Sequence, residues 1–349
     1  MLLYCAGGGM GDSLVSTLVA RALRARYDTV DALTLPGHRT ALERVPDLDD
    51  VLVDDGGDER ALAAALRARA YDACVVTWAT ARTAKVAHLA GIPVRVGQAR
   101  RLYSFRFTKR VVVRSEKGDV TSHWGDIQLD YARALGCDTD DRIPGFVPTP
   151  DDEREADALL ASLGVSPGAY IIMHPTNAEA PKRGNWPTQG WAALARALHA
   201  AFNLPILISG SPADAAINAT LLRQAQDDTS LSKGPYFDVA GALGIGGFGA
   251  LAARARGFVG ITTGSMHVAA AVGTPTVGIF PFQSDFPERW APSGMRTAVV
   301  RPSYPCHPGD TKENCRDYAC IAHLDVPRIV AVARELLDAS PEPSDAAEK

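Results

Sequence analysis

The first carboxylate of the chain, Asp12, stands directly after the run Gly7-Gly8-Gly9-Met10-Gly11. An apolar segment, Leu2 to Ala6, feeds that cluster, and a helical spacing of Leu14, Val15, Leu18, Ala22 and Leu23 leaves it. A carboxylate on a strand-to-helix turn, at the carboxyl end of a first strand, lies where open α/β sheets bind ligands. Glycines let the backbone approach a ligand closely, and a helix start offers N–H donors without internal partners. A dinucleotide fingerprint requires a third glycine where Asp12 stands, so the pattern speaks against nicotinamide binding and for a general base. Aspartate also caps helices, and the two roles are compatible.

A second cluster lies far downstream, at Thr262-Thr263-Gly264-Ser265-Met266-His267. There the apolar strand Phe258–Ile261 runs into a helix of small residues. Hydroxyls and open N–H groups at such a helix start form an anion site, with a diphosphate as the expected guest and a simple capped helix as the plain alternative. His174-Pro175-Thr176-Asn177 leaves another strand, and Lys182 and Arg183 stand just before Trp186-Pro187. A cation on that loop suits a diphosphate gaining charge as it departs. Asp214, after Gly210-Ser211-Pro212, either accepts from ribose hydroxyls or caps the next helix.

Other groups carry weaker signals. Arg95, Arg100, Arg101, Arg106, Lys109, Arg110 and Arg114, interleaved with Tyr103, Phe105 and Phe107, form a basic stretch that suits an anionic acceptor or a solvated face. Asp47-Leu48-Asp49 and Asp138-Thr139-Asp140 match the short string of metal-dependent sugar transferases, but each sits in an expected surface turn and is set aside. Cys306, Cys315 and Cys320 cluster beside His307, at spacings wider than the paired ligands of zinc ribbons. They read as a metal site, a redox-sensitive staple, or thiols in an irregular loop. His38, His88 and His123 are scattered and read as structural.

The elements that must position these groups alternate strand and helix. Expected strands near Leu2–Ala6, Val30–Leu35, Val51–Val53 and Cys74–Val76 are separated by helices over Asp58–Ala70 and Thr83–Leu89. That alternation predicts a parallel sheet covered on both faces. The segment from Arg95 to Lys117 interrupts the rhythm, and a helix over His123–Leu135 restores it. Pro144, Pro148 and Pro150 mark a linker. The program then restarts, with strands at Tyr170–Met173, Pro205–Ile208, Phe258–Ile261 and Thr274–Phe280. Its helices fall at Asp151–Leu163, Trp186–Phe202, Ala213–Gln226, Gly247–Ala255 and Val326–Leu337, the last expected to pack back on the first half. The domains are 1–150 and 151–339, followed by a polar tail over 340–349 expected to be disordered.

With 349 residues, two domains are the natural reading. A formal charge of −4, 46% hydrophobic and 22% charged residues describe a globular protein, with no bulk argument for nucleic acid. No apolar run approaches the ~20 residues of a membrane span, and no charged region precedes the opening apolar stretch, so no secretory signal is expected.

Met10-Gly11-Asp12-Ser13-Leu14, Lys182 through Trp191, Gly210 through Asp214, Thr263 through Ala271 and Gly273-Thr274-Pro275, in that order, resemble the ADP-heptose:lipopolysaccharide heptosyltransferases, the ninth glycosyltransferase family. The resemblance spans about residues 1–335. It implies an α/β, GT-B fold of two Rossmann-like doubly wound domains facing a central cleft, an acceptor side at 1–150 and a nucleotide-sugar side at 151–339. It further implies inverting transfer of a sugar, most simply heptose, from an ADP-sugar to an acceptor hydroxyl without a metal or bound cofactor. By position, Asp12 and Lys182 match the catalytic residues. Gly11, Thr176, Asn177, Arg183, Asp214, Leu243, Thr262, Thr263, Gly264, Ser265, Met266 and His267 match donor contacts, and Arg100 and Arg101 suit an anionic acceptor. Thr262 replaces the family's acidic residue, the lysine lies four residues before Trp186 where two or three is commoner, and Asn177 replaces a hydroxyl. The partners implied are the nucleotide sugar and a glycan or glycolipid acceptor, in the cytoplasm with room for peripheral contact at the inner membrane surface. A sugar-nucleotide epimerase and a non-catalytic sugar-nucleotide binder are the competing expectations.

Overall fold

A computed structural model describes residues 1–175, 186–226, 234–284, 286–307, 309, 311 and 314–339. The chain divides into two compact units, one of Met1–Pro150 with Glu288–Ser293, the other of Asp151–Pro287 with the chain from Gly294 onward.

In the first unit the order is β1 (Leu2–Tyr4), α1 (Met10–Leu23), β2 (Asp31–Thr34), α2 (Arg39–Leu42), β3 (Val51–Val53), α3 (Glu59–Ala68), β4 (Ala73–Val76), α4 (Ala81–Leu89), β5 (Val94–Gln98), β6 (Lys109–Val111) and α5 (Trp124–Arg133). Leu2, Leu3 and Tyr4 are all buried, as expected for a central strand covered on both faces. The strands form one sheet in the order β3-β2-β1-β4-β5-β6, every pairing parallel. Helices begin where polar side chains take their open N–H groups: Asp58 accepts from Arg60 and Ala61 at α3, and Thr80 accepts from Thr83 at α4.

The second unit repeats the pattern: α6 (Pro150–Leu163), β7 (Ile171–His174), α7 (Thr188–Phe202), β8 (Ile206–Ile208), α8 (Ala215–Ala225), β9 (Tyr236–Asp238), α9 (Ile245–Ala253), β10 (Gly257–Ile261), α10 (Gly264–Ala271), β11 (Thr276–Ile279), β12 (Thr297–Val300) and α12 (Val326–Asp338), while α11 (Pro287–Trp290), between β11 and β12 in the chain, belongs from Glu288 onward to the first unit. The second unit's sheet order is β12-β11-β10-β7-β8-β9, again wholly parallel. Read from either unit's first strand, the spatial order is third, second, first, fourth, fifth, sixth. Each sheet is therefore doubly wound, and its switch point lies between the first and fourth strands, where the flanking connections diverge and leave a crevice. In the first unit those strands are β1 and β4; in the second, β7 and β10.

Two expectations need correction. Residues 95–117 do not break the sheet but supply β5 and β6. The closing helix α12 packs on α7, β11 and β12 of the second unit rather than on the first, because Ile329, Ala333 and Leu337 form one apolar stripe buried in that unit's core. What returns to the first unit is the segment after Pro287: Trp290 lies 5.0 Å from Trp124 between ring centres, and Arg289 donates to Asp119 O at 2.5 Å.

Candidate functional site

At the first switch point, Gly9 occupies the N-cap of α1, Met10 and Gly11 the first two helical positions, and Asp12 the third. Asp12 Oδ2 accepts the Gly9 N–H at 2.7 Å. The carboxylate thus closes the helix start from within the first turn, not from the N-cap itself, and remains partly exposed. Negative charge is favoured at this end of a helix. Gly8 has φ +68°, and a Cβ there would lie 2.6 Å from Asp12 Oδ2. Gly7 lies against the Trp78 indole, which occupies the space any side chain would need. Behind Asp12, Ser13 Oγ donates to Cys5 O at 3.1 Å and sits 2.9 Å from His38 Nδ1. His38 therefore braces the loop, in keeping with its structural reading.

A buried network that sequence reasoning missed underlies the same edge. Tyr4 OH donates to Asp54 Oδ2. Arg82 reaches both Asp54 oxygens, through Nε at 3.1 Å to Oδ2 and through an η nitrogen at 2.6 Å to Oδ1, and the Gly56 N–H adds a third donor. Asp54 is 3% exposed. Burial pushes its carboxyl upward, but Arg82, Tyr4 and Gly56 together hold it below the ordinary carboxylate range. Burial, then the Asp54 contact, drives the Tyr4 hydroxyl far above its usual value. A charged Asp54 and a neutral Tyr4 tie the ends of β1 and β3 to the start of α4. An aspartate just after an apolar strand was visible in the sequence; its partners, 50 residues before and 28 after, were not.

At the second switch point, β7 ends in His174, whose Nδ1 lies 3.0 Å from Ser209 Oγ. Thr262 and Thr263 follow β10, and Thr263 is the N-cap of α10, yet no side chain caps that helix. Thr263 Oγ1 is buried and has no hydrogen-bond partner among the described residues. A buried hydroxyl without a partner costs free energy. Gly264, Ser265 and Met266 form the first turn, which closes through Met266 N to Thr263 O at 3.1 Å. His267, 8% exposed, follows on the same helix. Leu243 is half-buried after β9, against Gly247.

For Asp214 the sequence leaves a ribose acceptor and a helix cap open. The residue is 2% exposed, and its Oδ2 takes both the Ser211 N–H at 2.8 Å and the Ser211 hydroxyl at 2.7 Å. The carboxylate shapes the loop after β8 as a cap instead of presenting itself to solvent. Thr176, Asn177, Lys182 and Arg183 lie outside the described residues.

Residues 59–319 match the model of glycosyltransferase family 9 (heptosyltransferase), well over half the chain. The chain belongs to glycosyltransferase family 9. It is 24% identical over 306 residues to lipopolysaccharide heptosyltransferase 2 of Escherichia coli, covering 84% of this chain and 85% of that protein. The structure of the E. coli ADP-heptose lipopolysaccharide heptosyltransferase II superposes with a TM-score of 0.76 at 20% identity, covering 96% and 98% of the two chains. A family 9 glycosyltransferase from Veillonella parvula gives 0.79 at 17% identity, with 97% of each chain covered. The GT-B fold is thus shared along nearly the whole chain.

Several remaining candidates in this family 9 glycosyltransferase have structural employment. Of the basic stretch, Arg95 donates to the carbonyls of Ile92 and Arg106, Lys109 to Ala134 O, and Arg114 pairs with Asp126 and Asp130. Arg101 pairs with Glu116 at 2.6 Å, and Arg100 adopts φ +58° at the exposed head of the β5–β6 loop. In the two Asp-x-Asp strings, Asp47 pairs with Arg21, Asp49 with Arg24 and Asp138 with Arg133. Cys306, Cys315 and Cys320 are free thiols. No group of three or more His, Cys, Asp or Glu among the described residues is arranged to hold a metal. Also among them, no helix is long and apolar enough to cross a membrane.

Proposed function

We propose that this protein is an inverting, metal-independent glycosyltransferase that moves a heptose from an ADP-sugar to a hydroxyl of a lipopolysaccharide-core or related glycoconjugate acceptor. The observation that carries the reading is the uncapped start of α10, with the buried, unpartnered Thr263 hydroxyl at its head. That geometry suits the diphosphate of an activated sugar. The names of the relatives, which include an ADP-heptose enzyme, supply the nucleotide and the sugar. Asp12 takes the proton of the acceptor hydroxyl as it attacks the anomeric carbon. The C–O bond to the diphosphate breaks on the opposite face, and the configuration inverts.

Charge on the leaving ADP is met by Lys182 or Arg183 and by the N–H groups of the α10 start, backed by the helix dipole. Thr176, Asn177, Gly264, Ser265, Met266 and His267 complete the phosphate surroundings, Leu243 lies toward the adenine, and Gly11 lets the backbone approach. Asp214 serves the ribose indirectly, by fixing the Ser211 loop. Thr262 is neutral where the family carries an acid, so it contacts the donor sugar as a hydroxyl and leaves the anion site more positive. Arg100 and Arg101 meet an anionic acceptor. Every cationic task has a side chain or a helix start, which leaves none for a divalent ion; turnover undiminished by EDTA is the expected result.

Asp12→Asn tests the assignment, because an amide oxygen still accepts the Gly9 N–H while the base is lost. Turnover is expected to fall about 10²–10⁴-fold with ADP affinity retained. A variant that keeps most of its turnover would remove Asp12 from the mechanism. ADP release that requires no acceptor would favour the epimerase reading.

A further inference from the structure

We infer that the β5–β6 loop, residues 99–108, is a membrane-docking tip that takes anionic bilayers. Leu102 is 98% exposed and Phe105 65% exposed. The loop that carries them is firmly built. Ser104 Oγ donates to Gln98 O at 2.7 Å and accepts the Arg101 N–H at 3.1 Å. Tyr103 OH donates to Ala79 O at 2.5 Å on the β4–α4 loop, and Phe107 is buried beneath, against Gly97. Four anchors therefore hold two large apolar side chains out in water. That arrangement costs solvation.

The surroundings identify the occupant. Residues 99–110 hold Arg100, Arg101, Arg106, Lys109 and Arg110 and no acidic residue, in a chain whose net charge is −4. The Arg106 guanidinium lies 4.5 Å from the Phe105 ring centre, and Trp78, on the loop that Tyr103 grips, is also partly exposed. A nearly fully exposed leucine sits on a convex surface, whereas small ligands and peptides are taken by concave ones. Apolar tips on a loop that also carries the exposed Arg100 and the Phe105-stacked Arg106 match the bilayer interface: side chains enter the acyl boundary and cations meet anionic headgroups. The inference extends the proposed function by naming the surface through which a lipid-anchored acceptor is approached.

The test is flotation of the full chain with phosphatidylcholine vesicles and with vesicles containing phosphatidylglycerol. Binding is expected with the anionic vesicles. Leu102→Ser with Phe105→Ser should lower it about tenfold or more, and Arg106→Gln should weaken the preference for anionic lipid. Leu102 and Phe105 are exposed, so the melting temperature of the double variant should equal the parent's, and its turnover of a delipidated, soluble acceptor should be unchanged. No binding by the parent, no preference for anionic lipid, or equal binding by the double variant overturns the inference. Flotation reads no sugar transfer, so it and the Asp12→Asn experiment can fail separately.

Discussion

Thr263 and Asp12 show two ways in which a single side chain prepares a site. Asp12 is held by the Gly9 N–H, with Gly8 kept free of a side chain where one would strike its carboxylate. Its orientation is fixed before any substrate arrives. Thr263 is the reverse case, a buried hydroxyl with no hydrogen-bond partner among the described residues. Thr263→Val is therefore expected to leave the unliganded protein as stable as before or slightly more so, since an unsatisfied buried oxygen is exchanged for a methyl group. A hydrogen bond to a charged group contributes about 1.5–3 kcal/mol, so ADP affinity should fall roughly 10- to 100-fold. Calorimetric titration with ADP and a denaturant midpoint check the two halves; loss of stability with unchanged ADP affinity would assign Thr263 to packing. Asp12 and Thr263 were both legible because a glycine or hydroxyl cluster interrupts an apolar strand just before a helical spacing. Asp54 and Arg82 were not, because a buried ion pair between distant segments leaves no local mark.

At the level of elements, alternation of apolar runs with helical spacing revealed the buried central strands and most helices, and it placed both switch-point turns. It failed at β5, β6, β9 and β12. The last three are outer strands of three or four residues, and Lys109-Arg110-Val111 or Tyr236-Phe237-Asp238 has too little apolar continuity to stand out; in β5, Arg95 and Gly97 interrupt the apolar run. It also could not tell which unit α12 joins, because an apolar stripe states that a helix is buried, not against what. The segment that does return to the first unit is held by His123, which caps α5 through Nδ1 at 3.1 Å from Gly125 N and bonds Ala291 O through Nε2 at 2.9 Å. Burial lowers its pKa below the ordinary 6.5, against the opposing pull of Ala291 O and Asp126. The unfolded chain thus binds this proton at a higher pH than the folded one. Its contribution to stability is present above pH ~6.5 and is lost as pH falls from there through the lowered folded value. Melting temperature should therefore decline in mildly acidic buffer, and His123→Gln should flatten that decline while lowering stability at neutral pH. An unchanged slope in the variant would place the acid sensitivity elsewhere. The strongest carboxylate shifts, such as Asp126 held at about 2 against burial by Arg133 and Arg114, act only at much lower pH.

For the molecule as a whole, the repeated sheet order gives two switch points of equal standing and unequal chemistry. One holds a carboxylate, with the Asp54–Arg82 ion pair at the same sheet edge; the other holds an uncapped helix start and hydroxyls. If the first serves the acceptor and the second the nucleotide, ADP alone should engage only the second unit. A ligand that binds the native state alone stabilises it by about 2.7 kcal/mol at a concentration of 100 Kd, which for a domain of this size is roughly 5–10 °C in melting temperature. Hydrogen exchange locates the effect. ADP should slow exchange in peptides covering Ser209–Asp214 and Ile261–His267, where backbone N–H groups line the proposed diphosphate site, and leave Cys5–Asp12 and Thr77–Arg82 unchanged. Asp12→Asn should reproduce that pattern in full, while Thr263→Val should weaken it at the same ADP concentration, which for that variant is only about 1–10 Kd. Protection centred on the first unit would reverse the assignment of donor and acceptor sides, and a larger shift with UDP than with ADP would overturn adenine as the base.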